Sequence, residues 1–348
     1  MSKLYLDNGY LNMEYIFSSK TTFNWITGGR GIGKTYGAIK YVLEHRIPFI
    51  FMRRTQTQID MVKNDDFSPF TPVCEDLGWN VKIKSLNKNI SAVYEADQGE
   101  DGILHETGAP LGYMIALSTV SNIRGYNLEK VKILIYDEFI GEVQESKIKN
   151  EGDAFKNCYE TLNRNREIKG MDPIKVIACA NSNNLANPIY VSFKLVTAAE
   201  KLLKSDSEIM YMPEKDVTIY HIKRSPIADK KKKTALYKLS GDDDFTRMAL
   251  GNEYSANEMI NVRSENLQHY NILCEVGEMA IYKAKSANEY YVTDHIKGTP
   301  KRVYGAGVDL KLFRKDYYYL WLAYLRRKVS FESYIFQVLF EKYFNMNI

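Results

Sequence analysis

Eight residues near the start of the chain, Gly28-Gly29-Arg30-Gly31-Ile32-Gly33-Lys34-Thr35, match G-x-x-x-x-G-K-[ST] at every fixed position. The apolar run Phe23–Thr27 before them predicts a strand, and Lys34–His45 after them predicts a helix. A glycine-rich turn in that context cradles phosphate. The glycines let successive N–H groups converge on one anion, and the helix N-terminus adds its dipole. In such a loop Lys34 would reach the β- and γ-phosphates of a nucleoside triphosphate, and the Thr35 hydroxyl would bind Mg²⁺. All eight residues, Gly28 to Thr35, are therefore candidates for holding ATP.

The loop commits the first two hundred residues to an α/β fold with a mostly parallel sheet. Pro48–Met52, Val131–Tyr136 and Ile174–Ala180 read as further buried strands, and Gly152–Ile168 as a helix. Val81–Ile83 and Ser91–Tyr94 flank the polar turn Asn87-Lys88-Asn89 and predict a hairpin. The β-rich stretch Ile209–Ile222 runs into the lysine block Lys230–Lys233 and reads as a linker. Beyond it, Met279–Lys283 and Tyr290–Thr293 suggest a second hairpin. The apolar stripe Ile335, Val338 and Leu339 predicts a terminal helix. The expected organisation is thus three parts: 1–205, a linker domain 206–235, and 236–348.

A second motif lies about a hundred residues after the loop. In Ile133-Leu134-Ile135-Tyr136-Asp137-Glu138, four apolar residues end in two acids, the pattern of a buried central strand delivering carboxylates at its edge. Asp137 would hold Mg²⁺ through water, and Glu138 would orient and deprotonate the attacking water. Asn181, ending the strand Ile174–Ala180, stands where a polar side chain would touch the γ-phosphate or that water; the plainer alternative is a strand cap. In Asn163-Arg164-Asn165-Arg166-Glu167, either Arg164 or Arg166 would serve as an arginine finger toward a neighbouring subunit, or both belong to a salt-bridged surface helix. Arg30 is a second candidate for γ-phosphate contact, from within the chain.

Charge and cysteines narrow the partners. Residues 221–348 carry a net +6, against −2 for residues 1–220, which places the basic excess in the C-terminal third. Such an excess suits phosphate backbones, although a lysine run is more often a solvated face. The apolar runs fall far short of the roughly 20 residues a membrane span needs, so no membrane partner is expected. No secretory signal is visible at the N-terminus. Cys74, Cys158, Cys179 and Cys274 show neither zinc nor redox spacing and are expected to be reduced, in the cytoplasm. Read from the residues alone, the chain is a Mg-dependent ATPase with a basic second region.

Taken together, the segments resemble a known family. Gly28–Thr35 followed by Tyr36, the pair Arg53-Arg54 after Phe51-Met52, Asp137-Glu138-Phe139-Ile140, the tetrad Arg164-Asn165-Arg166-Glu167 and Asn181 are similar, in order and spacing, to the DNA-packaging ATPases of small short-tailed phages. These are terminase-like motors that work with a prohead-bound structural RNA. The resemblance implies an N-terminal ASCE-type P-loop NTPase domain, a short linker domain and a C-terminal α+β RNase H-like domain with vestigial, inactive nuclease function. It also implies a homopentameric ring in the host cytoplasm, transiently docked on the procapsid through portal and RNA, that drives double-stranded DNA inward. By the match of the tetrad, Arg164 rather than Arg166 would be the trans finger. The loop Ser118–Glu129 corresponds to the family's DNA-gripping loop, with Arg124 as its one arginine. Met279–Lys283 carries no acid, and Asp294 and Asp309 stand apart, so the C-terminal part is expected to bind rather than cut. The rival functions are a nucleotide-dependent DNA-binding switch or scaffold, and a related helicase or remodeller.

Overall fold

The computed structural model describes residues 4–344 apart from 65–66, 101, 124–127, 143–144, 146, 182–183, 242 and 253–260. The chain forms two compact units, Met1–Phe193 with Leu202–Ser255, and Lys194–Lys201 with Ala256–Ile348.

The first unit is built on nine strands: β1 Phe23–Gly28, β2 Phe49–Arg53, β3 Asn80–Ser85, β4 Ile90–Gln98, β5 Leu104–Ala116, β6 Ile133–Asp137, β7 Lys175–Ala180, β8 Ile209–Met212 and β9 Val217–Ile222. Their order is β3-β4-β5-β2-β6-β7-β1-β9-β8. The six central strands, β5 to β9 in that order, run parallel. The β3–β4, β4–β5 and β8–β9 pairings at the two margins are antiparallel. Every residue of β6 is buried, which explains its unbroken apolar run: a central parallel strand is covered on both faces.

Alternation along β1 shows the two covers. Ile26 packs with Phe49, Phe51, Ile135 and Cys179 and with Ile39, Val42 and Leu43 of the helix Lys34–Glu44. Trp25 faces the other way, its ring 5.2 Å from Phe139 and 5.5 Å from Phe155 of the helix Glu151–Asn163. Register then sets the site. Thr27 pairs with Ala180, and Asp137 with Cys179, so the carboxyl ends of β1, β6 and β7 finish level with one another.

The expected hairpin around Asn87-Lys88-Asn89 is present, with Ser85 paired to Ser91. The helix expected over Gly152–Ile168 stops at Asn163, because Arg164 takes φ +48°. The stretch expected as a linker, 206–235, places β8 and β9 in this sheet, with Phe23 of β1 beside Val217. The cause is ordinary: all six residues of β9 are buried, so it is a core strand in character.

In the second unit β10 Tyr270–Val276, β11 Met279–Ala284, β12 Tyr290–Thr293, β13 Arg302–Tyr304 and β14 Val329–Phe331 lie in the order β13-β10-β11-β12-β14. The β10–β11 and β11–β12 pairs are antiparallel, and the two outer pairs parallel. Phe313 and Leu320 of the helix Leu310–Leu325, and Phe340 of the helix Tyr334–Phe344, share one core with Val292 and Phe331. The four cysteines are free and buried. Among the described residues no helix is long and apolar enough to cross a membrane.

Candidate functional site

The loop after β1 closes around its own lysine. Lys34 opens the helix Lys34–Glu44, with Gly33 as its N-cap at φ +93°, a left-handed conformation that glycine adopts without a Cβ penalty. The Lys34 ammonium donates to the carbonyls of Gly28 and Gly29 at 2.8 Å each, and to Asn181 Oδ1 at 3.2 Å. Burial pushes the Lys34 ammonium down to about 8, against the opposing pull of acidic neighbours Asp137 and Glu138. A desolvated cation at the start of a helix, with its dipole, gains strongly from an incoming phosphate.

Asp137, the last residue of β6, is 1% exposed. The Thr35 hydroxyl donates to its Oδ1 at 2.6 Å. Glu138 follows with φ +57°, a strained conformation for a residue with a side chain. That turn is held in place by the Phe139 N–H, which donates to Cys179 O at 3.2 Å, and by burial of the Phe139 ring. It takes Glu138 out of the strand direction and into the cleft. Desolvation raises the Glu138 carboxyl above its ordinary range; Arg53 opposes this, while Asp137, Glu145 and Glu142 push the same way. The cleft, about 410 Å³, is lined by Arg30, Lys34, Thr35, Asp137, Glu138 and Asn181 among others. Three segments distant in sequence therefore converge at the carboxyl ends of adjacent parallel strands. Ligands of open α/β sheets bind at that edge.

Of the candidate arginines, Arg30 alone lines the cleft among the described residues. Arg30 pairs with Glu142 at the rim. Arg166 is buried, with Nε donating to Asp172 O at 3.0 Å and NH1 donating to Glu129 O and Val131 O at 2.9 and 2.7 Å. Val131 lies just before β6, so this arginine sits at the edge of the sheet opposite the cleft. Arg164, two residues away, is exposed at the end of its helix. Arg124 lies outside the described residues.

Two arginines carry more of the site's architecture than their motif suggests. Arg53 ends β2, beside β6, and donates to Asp137 Oδ2 through Nε at 3.1 Å and NH2 at 2.7 Å. Its NH1 stands 3.5 Å from Glu138 Oε2. Arg54 forks onto Glu151 at 2.7 and 3.0 Å and also pairs with Glu145, which fixes the segment after Glu138. The available signal was a pair of cations ending an otherwise apolar strand, since a buried cation there needs an acid on the neighbouring strand.

A phosphate loop, two acids at the end of a neighbouring buried strand and a parallel sheet that aligns them define a P-loop ATPase. The chain belongs to the podovirus DNA encapsidation protein (Gp16) family, whose model matches residues 6–310. The DNA packaging protein of Bacillus phage B103 is 27% identical over 297 residues, 82% of each chain. That of Bacillus phage phi29 is 24% identical over 258 residues, 72% of this chain and 68% of the relative. In fold, the chain is similar to one from the bacteriophage Phi-29 viral genome packaging motor assembly, with a TM-score of 0.67 and 19% identity over 96% of this chain and 98% of that one. It is a DNA-packaging ATPase.

Proposed function

We propose that this ATPase binds MgATP in the cleft and uses its hydrolysis to drive double-stranded viral DNA into a procapsid, as a ring of five copies engaged with portal and prohead RNA. The observation that carries the reading is the convergence of the loop, Asp137, Glu138 and Asn181 on one edge of the sheet. Gly28 to Thr35 hold the triphosphate, with Lys34 on its β- and γ-oxygens. Thr35 Oγ1 and Asp137 Oδ1 are hard oxygen donors 2.6 Å apart, a set that suits Mg²⁺. Mg²⁺, when bound, neutralises charge on the phosphates. Glu138 takes the proton of the attacking water, and Asn181 positions that water or the γ-phosphate.

Arg164 supplies the finger to the neighbouring subunit. Its exposure supports this, and so does its place on the edge of the sheet away from its own chain's cleft. Arg166 is committed to three backbone carbonyls of its own chain. Arg124, in the loop that leads into β6, grips DNA phosphates without reading sequence. The second compact unit is an RNase H-like binding module without nuclease activity, consistent with a β11 strand that carries no acid. The ring works in the host cytoplasm, transiently on the procapsid.

The test is Glu138→Gln. It should bind MgATP within about twofold of the native affinity while losing on the order of 10²–10⁴ in turnover, because only the base is removed. Hydrolysis at half the native rate would reassign the base. DNA translocation by the native ring, followed as protection of packaged DNA from nuclease, separates the motor from a switch that binds ATP and DNA but moves neither.

A further inference from the structure

The phosphate loop and the residue before it are bonded at three points to one stretch of chain, residues 226–252, that belongs to none of the motifs. Asn252 Nδ2 donates to Thr27 O at 3.2 Å, just before the loop. The Arg30 N–H donates to Ala249 O at 2.9 Å. Lys231, the last residue of the helix Pro226–Lys231, donates from Nζ to Arg30 O at 2.5 Å across 201 positions of sequence.

These bonds dictate which way the loop's peptides face. In a planar trans peptide the C=O and the following N–H point in opposite directions. Ala249 draws the Arg30 N–H outward, so the Gly29 carbonyl turns inward, where Lys34 meets it. Lys231 draws the Arg30 carbonyl outward, so the Gly31 N–H turns toward the cleft that Gly31 lines. Gly31 has φ +70°, and a Cβ there would stand 2.8 Å from Lys231 Nζ. The missing side chain thus makes room for the ammonium as well as for the turn. The Tyr237 ring, its centroid 5.7 Å from Nζ, adds a cation–π contact to the ammonium.

We propose that Lys231 is a positioning residue for the nucleotide: it aims the Gly31 N–H at the triphosphate and couples the helical stretch 226–252 to occupancy of the loop. This rests on the assignment of the cleft to a nucleoside triphosphate. Lys231 also adds a third cation beside Arg30 and Lys34. Burial and the nearby Arg30 hold its ammonium below the ordinary lysine range, a repulsion that a bound polyanion relieves.

The experiment measures displacement of a fluorescent ATP analogue by MgATP and MgADP in the full chain. Lys231→Met, which keeps the stem and removes the charge, should bind both nucleotides on the order of tenfold more weakly. Lys231→Arg should restore most of that loss. Saturating nucleotide should raise hydrogen-exchange protection over 226–252 in the native chain and not in Lys231→Met. Native affinity in Lys231→Met, whether its melting temperature falls or not, overturns the proposal and leaves Lys231 as packing only. Lys34→Ala is the control. If it too binds at native affinity, the nucleotide assignment itself falls; if it is crippled while Lys231→Met binds normally, the role of Lys231 alone falls.

Discussion

Arg53 donates two hydrogen bonds to a single oxygen of Asp137, at 2.7 and 3.1 Å, while the other oxygen accepts from Thr35. Both oxygens of the aspartate are thereby oriented before any ligand contributes. The guanidinium also lies 3.5 Å from Glu138, so one side chain on β2 contacts both acids at the end of β6. Arg53→Ala should therefore do two things. It should destabilise the first unit by about 3 kcal/mol, because a buried carboxylate loses its partner. It should also lose most ATPase activity. Arg53→Lys keeps charge but not the fork and should recover stability more than activity. Chemical denaturation paired with steady-state hydrolysis checks both; unchanged stability in Arg53→Ala would show that water replaces the ion pair at no cost.

Much of this site could be read from the chain because its constraints are local. A loop that wraps phosphate needs glycines at fixed spacing, and a buried strand that delivers Asp137 must be apolar up to that point. Arg53 was harder to see, because its role depends on β2 lying beside β6, which is a fact of sheet order and not of spacing. The same limit applies to β8 and β9. Their β-rich composition marks strands, but nothing local says that β9 pairs with β1 across nearly two hundred residues. The bracing of the loop by Lys231 is equally non-local, and the lysine block around it reads as an ordinary solvated run.

The two arginines of the tetrad should separate cleanly. Arg166 is buried and satisfies three backbone carbonyls around the starts of β6 and β7. Arg166→Ala should cost on the order of 3 kcal/mol in stability and lower the yield of folded protein. Arg164→Ala should leave stability nearly unchanged, keep MgATP binding and reduce turnover on the order of 10³-fold in assembled rings. Mixing Arg164→Ala with Lys34→Ala should recover part of the activity, since an intact cleft can then meet an intact finger. No recovery in mixed rings of verified composition would end the trans assignment.

His221 provides a pH signature in the sheet. It is 3% exposed, and its Nδ1 accepts from Asn252 Nδ2 at 3.1 Å and lies 2.9 Å from the Thr27 hydroxyl. Protonation would place a donor against the Asn252 amide. Burial, with a smaller push from Lys223, lowers the imidazole to about 4. The folded state thus disfavours the proton relative to the unfolded chain, whose histidine titrates near 6.5. The stabilisation is complete above that value and is lost as pH falls from about 6.5 toward 4, amounting to about 3 kcal/mol. Urea denaturation at pH 7 and pH 4.5 should show this loss in the native chain and a smaller one in His221→Gln. Equal losses would mean that other groups govern acid unfolding.

The acids of the second unit should not cut DNA. Asp294 and Asp309 looked scattered in sequence, and the fold keeps them on different elements. Asp309 precedes the helix Leu310–Leu325 and accepts from the Gly305 N–H at 2.9 Å. Asp294 follows β12 and lies 3.6 Å from His295, which in turn lies 3.4 Å from Glu332 beyond β14. Glu332 also accepts from the Thr293 hydroxyl. One carboxylate of this cluster is thus tied to the protein, and Asp294 and His295 are exposed to water. A two-metal cleavage site instead needs acids converging about two cations roughly 4 Å apart in a sheltered pocket. Supercoiled plasmid incubated with the full chain and Mn²⁺ should therefore stay supercoiled on an agarose gel. Nicking that required Mn²⁺ and vanished in both Asp294→Asn and Glu332→Gln would make this unit a working nuclease.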